Sequence, residues 1–153
     1  MVAGDILKEA LLVVEKFTVK ANEDIEKGEL VTDDGNGILA ATKALAATGK
    51  AMMALEDHDY SEETDHDITC VVVGFVEAQK VSGSGGAKKG DKLTISATAG
   101  EVTKFVKGTA PAADTYATAG TQTALDTNLA AVGTAIEASL DADATQKMLI
   151  GVT

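Results

Sequence analysis

Two short runs hold the side chains of this chain that could assemble into a site: Asp57-His58-Asp59 and Asp65-His66-Asp67. Each sets an imidazole between two carboxylates, and these are the chain's two histidines. Brought together they would offer nitrogen and oxygen donors of the kind a divalent metal accepts. Against that, the spacing matches no strict ligand pattern, and the loop lacks the interval and glycine of an EF-hand. Adjacent charges usually form a solvated face, and neighbours on a strand point to opposite sides. The expectation is an exposed acidic loop, with Asp57, His58, Asp59, Asp65, His66 and Asp67 as the candidate metal ligands. No residue is assigned a catalytic or cofactor-binding role.

Other chemistry is sparse. Cys70 lies within Ile68-Thr69-Cys70-Val71-Val72-Val73, where a small buried hydrophobe fits, and mostly acidic surroundings disfavour a thiolate. A single cysteine forms no intramolecular disulfide. The glycines from Gly83 to Gly90 match neither phosphate-binding fingerprint, so they are read as a flexible turn. Lys-Gly-acidic turns also occur in biotinyl and lipoyl carrier barrels, but the carrier's modified lysine in its tight turn has no counterpart here. The carrier barrel is therefore kept as an alternative, as is a metal-binding module using the Asp57 to Asp67 loop.

The elements that must position these residues are mainly β. Ile25-Glu26-Lys27-Gly28-Glu29-Leu30-Val31-Thr32 and Ala87-Lys88-Lys89-Gly90-Asp91-Lys92-Leu93-Thr94 share one order, Lys-Gly-acidic before a β-prone run. Each is followed by a glycine turn and a second β-prone run, Ile38 to Thr42 and Glu101 to Val106, so two hairpins are expected. Lys43 to Leu55 is first rich in helix-tolerant Ala and then, after a break at Gly49, an apolar run that suits a buried strand; further strands are expected at Ile68 to Val76 and Gln146 to Thr153. Ile6, Leu7, Ala10, Leu11 and Val14 keep helical spacing behind Asp5, which suggests a short helix, before alternation from Val13 to Lys20 favours a strand. Leu125, Leu129, Val132 and Ile136 leave helix and strand both open, and residues 109–127 read as an irregular excursion.

The fold expected is thus a small β-barrel or sandwich-like domain built from hairpins, with one or two short helices. Residues 1–16 form a helical or extended N-terminal arm, and residues 17–153 a single β-rich domain. At 153 residues one aliphatic core is feasible, and at 3% aromatic content, without Trp, the stacking platform for bases or sugars is nearly absent. A net charge of -11 argues against a nucleic-acid partner, whose phosphates call for Lys and Arg. No basic leader opens the chain and no apolar run reaches membrane-spanning length, so synthesis in a cytoplasm without membrane insertion is expected.

One resemblance runs along the chain. Lys27-Gly28-Glu29-Leu30-Val31, Gly37-Ile38-Leu39-Ala40-Ala41-Thr42-Lys43-Ala44, Lys89-Gly90-Asp91-Lys92-Leu93, Gly100-Glu101-Val102-Thr103-Lys104, Ala131-Val132-Gly133-Thr134-Ala135-Ile136-Glu137-Ala138 and Leu149-Ile150-Gly151-Val152 follow one another in an order that resembles the capsid cement, or decoration, proteins of tailed phages. The chain departs from that pattern in its longer stretch before Phe17 and in its acidic histidine loop. The resemblance implies a non-enzymatic β-rich structural protein of the virion, without cofactor, bound to the outer capsid surface. Its partner would be the major capsid protein of a tailed virus, and the protein itself a homotrimer that clamps neighbouring capsid subunits. The arm residues Ile6, Leu7, Ala10, Leu11 and Val14 are then the expected contact with capsid or sister subunit.

Overall fold

Glycine placement explains how the chain turns. Gly28 and Gly90 both hold φ near +90°, which an L side chain resists, and each is followed by an acidic residue that closes the same turn. In the first, Glu29 N–H donates to the Glu26 carbonyl (3.1 Å) and its carboxylate accepts from Glu26 N–H (2.9 Å). In the second, Asp91 does the same with Lys88, at 3.0 and 2.8 Å. The shared Lys-Gly-acidic order is therefore one turn used twice, each time delivering the chain into a strand.

The structure is a computed structural model that describes residues 3–42, 51–106 and 131–152, the side chains of residues 8–10 excepted. The described residues form nine strands: β1 (Ile6–Thr18), β2 (Leu30–Asp33), β3 (Ile38–Ala40), β4 (Met52–Ala54), β5 (Asp67–Gln79), β6 (Lys92–Ile95), β7 (Val102–Lys104), β8 (Ala131–Ala135) and β9 (Thr145–Ile150). They form one curled antiparallel sheet resembling half a barrel, in the order β3-β2-β4-β5-β9-β8-β6-β7. The two expected hairpins are β2–β3, with Asp33 opposite Ile38, and β6–β7, with Ile95 opposite Val102.

The centre of the sheet is β5, a β-branched run with a neighbour on each edge. One edge is shared, β4 pairing with its first half and β9 with its second; the other edge carries β1. Here the helix expected behind Asp5 is corrected: among the described residues there is no helix, and Ile6 to Thr18 is one strand. Leu and Val at helical spacing also suit a pleated surface, and the long open edge of β5 decides between them. The boundary placed at residue 16 accordingly falls inside a strand.

That strand is irregular. Between Lys8 opposite Phe75 and Val13 opposite Val73, β1 sets Glu9 to Leu12 against Gly74 alone. A Cβ at Gly74 would lie 3.2 Å from Leu12 Cδ1 and 3.4 Å from the Leu11 carbonyl oxygen, so this bulge packs down where a side chain is missing. Residues 131–135 are a strand, which settles that part of the helix-or-strand ambiguity; Leu125, Leu129 and the segment 109–127 lie outside the described residues.

Adjacent residues in the central strands enter two cores. Leu30, Met53 and Val71 join Leu93, Ile95, Met148 and Ile150 on one face, while their neighbours Val31, Met52 and Cys70 join Val19, Ile25, Ile38 and Ile68 on the other. The sheet is thus covered on both faces around β2, β4 and β5. Phe17 and Tyr60 complete the second core, which places the acidic loop against the protein.

Candidate functional site

The loop that joins β4 to β5 is built from turns closed by its own carboxylates. Asp59 accepts from both the N–H (2.9 Å) and the hydroxyl (2.6 Å) of Ser61, and the Asp59 carbonyl accepts from the N–H groups of Glu62 and Glu63. The Ser61 hydroxyl first, then its N–H, hold the Asp59 carboxyl below the usual range. Asp65 accepts from Asp67 N–H at 3.1 Å, Asp67 from the Thr18 hydroxyl at 2.6 Å, and Asp57 from Lys27 N–H at 2.7 Å. Each carboxylate of the two triplets is thereby engaged in shaping the loop or tying it to a neighbouring segment.

The histidines behave differently. His58 is buried, 2% exposed, and its backbone exchanges hydrogen bonds with Ile25 at 2.8 and 2.9 Å. The expectation of a wholly exposed loop is corrected here: backbone pairing with the buried Ile25 carries His58 inward. His58 Nδ1 lies 3.0 Å from the Glu63 carboxylate, and His58 Nε2 lies 3.2 Å from Nδ1 of His66. A carboxylate only accepts, so Nδ1 of a neutral His58 carries the proton and Nε2 accepts from His66 Nδ1–H. The His66 ring stacks on Tyr60, centroids 3.9 Å apart and planes 11° apart, while Tyr60 N–H donates to Asp24 at 2.9 Å.

The structure therefore brings His58 and His66 together and turns the triplet carboxylates to other work. Glu63 and Tyr60 were not singled out in the sequence, yet they orient the two rings. Beside His58 lies a groove of about 350 Å³ lined by Asp24, Ile25, Glu26, Asp57, His58 and Asp59. Among the described residues, no group of three or more His, Cys, Asp or Glu side chains is arranged to hold a metal ion. Cys70 is buried, and burial first, then Glu56, pushes its thiol up to about 12, as suits a core residue.

The second candidate is the face of β1. Ile6, Leu11, Val13 and Val14 are 37%, 44%, 43% and 43% exposed, an apolar surface that the bulge and the register shift at Val13/Val14 turn outward. Leu7 is half-buried, Ala10 lies within the bulge, and Leu12 points the other way onto the main core. Val13 was missed because a helical wheel places it off the stripe of Leu7, Leu11 and Val14. Among the described residues, only β5 pairs with β1, so its outer edge has no strand beside it.

The chain matches no protein-family model, and no curated protein is detectably similar to it.

Proposed function

We propose that this protein is a capsid decoration protein, a non-enzymatic structural component that binds the outside of an assembled tailed-phage head and bridges its major capsid subunits. The observation that carries the reading is β1, a thirteen-residue strand with exposed Ile6, Leu11, Val13 and Val14 and an outer edge without a neighbouring strand among the described residues. Apolar surface on a long sheet edge is what a soluble chain covers unless a partner does. The order of segments along the chain, the acidic surface with its net charge of -11 and the curled sheet support the same reading. Bridging several subunits, as a homotrimer on a threefold lattice position, turns modest contacts into firm retention.

The test is co-sedimentation with expanded capsids and with unassembled capsid subunits, with light scattering on the free protein. Saturable binding to assembled shells alone, at a fixed ratio per capsomer, is expected. Removing residues 1–14 would strip most of a core strand, so the interface is probed instead by Leu11→Lys with Val13→Lys. This double variant should keep the melting midpoint near that of the parent and bind shells at least about tenfold more weakly, the loss of two anchors of 1 kcal/mol or more each. Shell binding unchanged in the variant would remove β1 from the interface; no binding to any cognate shell would remove the function.

A further inference from the structure

The acidic loop has a feature that capsid binding does not use. His58 Nε2 and His66 Nδ1 face each other at 3.2 Å, and each ring is held from its other side. Two nitrogens bound to one first-row ion at about 2.0–2.1 Å stand about 3.3 Å apart in tetrahedral geometry and about 2.9 Å apart when cis in octahedral geometry. The observed separation falls between the two. The second nitrogen of His58 lies 3.0 Å from the Glu63 carboxylate, the arrangement that orients metal-binding imidazoles and raises their basicity. Stacking on Tyr60 fixes the plane of His66.

We propose that His58 Nε2 and His66 Nδ1 form a two-imidazole site for a divalent transition ion that prefers nitrogen donors, zinc or nickel. Binding requires no large movement: His66 shifts its proton from Nδ1 to Nε2, the hydrogen bond between the rings is replaced by two metal–nitrogen bonds, and Glu63 keeps its bond to His58 Nδ1. With no third His, Cys, Asp or Glu ligand placed among the described residues, water fills the remaining positions. Calcium and magnesium, which demand oxygen ligands, are excluded by the same donor set. The groove beside His58, with Asp24, Glu26, Asp57 and Asp59, concentrates cations at the loop without ligating them.

The experiment is equilibrium titration of the untagged full chain with zinc and nickel salts, followed by calorimetry and by the imidazole nitrogen resonances. One equivalent is expected to bind, moving the His58 Nε2 and His66 Nδ1 resonances most. His66→Gln should weaken binding at least about tenfold, and Glu63→Gln about 10- to 100-fold, the range for loss of an orienting partner. His66 is only half-buried, so its replacement leaves the buried His58 and the second core in place. The proposal is overturned if neither ion binds, if both variants bind as the parent does, or if calcium competes on equal terms.

Discussion

The acidic residue that follows Gly28 and Gly90 closes the same turn in both places, yet the fold moves the pKa values of the two carboxylates in opposite directions. Asp91 is held below the usual range by the Lys88 N–H, first, and then by the Lys104 ammonium at 2.9 Å. Its folded value lies below its unfolded one, so its stabilising contribution is full above the unfolded value and is lost as pH falls through the folded value. Glu29 is raised, chiefly by burial and despite its bond from Glu26 N–H. For it the folded state disfavours the charge, a penalty present at neutral pH and relieved as pH falls through the folded value. Asp91→Asn is therefore expected to lower the urea midpoint near pH 7 and Glu29→Gln to raise it, both differences shrinking toward about pH 3, below the ordinary carboxylate range. Midpoints of both variants moving the same way would contradict the assignment. The recurrence of Lys-Gly-acidic was legible as a turn signal; the opposite environments were not, because they depend on Lys104, which pairs with Asp91, and on Gly100, which lies against the Glu29 side chain. His58 escaped for the same reason, since its burial follows from pairing with Ile25.

At the scale of elements, the runs bounded by glycine turns were readable from the sequence: β2–β3, β5, β6–β7 and β9 lie where the β-prone runs put them, and β4 lies in the apolar run that ends at Leu55. The second half of β1 was readable from the alternation after Val13; its first half was not, because Ile6, Leu7, Ala10, Leu11 and Val14 satisfy a helical stripe as well as a strand, and only the unfilled edge of β5 decides. Gly133 lies in the middle of β8, where a glycine offers no side chain to the sheet. Its role comes from across the sheet: a Cβ there would collide with the Leu149 carbonyl and the Met148 methyl, while Gly133 pairs with Ile150, Thr134 with Leu149 and Ala135 with Met148 of β9. Gly133→Ala is expected to destabilise by about 1–3 kcal/mol, the usual cost of forcing atoms into a packed core, read from the denaturation midpoint. A neutral result would mean that β8 and β9 can separate without loss.

For the whole molecule, β5 is the member that the other parts share: β1 along one edge, β4 and β9 on the other, and residues facing both cores. Its amides should exchange with deuterium only on global unfolding, whereas those of β1 around the Glu9 to Leu12 bulge should exchange by local opening. Mass spectrometry of exchanged peptides checks this, and β5 exchanging as fast as β7 would show that the sheet has no such centre. Turn patterning made the chain's β class readable, and composition its aliphatic core and acidity; the covering of both sheet faces was not, because it is set by where the acidic loop folds back.

The pairing of β1 with β5 has a mechanical meaning. A pull on β1 at Ile6 would open its hydrogen bonds to β5 in turn, each bearing the whole force. A partner gripping the exposed side chains of Ile6, Leu11, Val13 and Val14 loads many of those bonds at once, in shear along the strand. Force entering through that face passes directly into the central strand and from there across the sheet, so the same weakly covered strand that peels easily from its end can resist a load applied along its length.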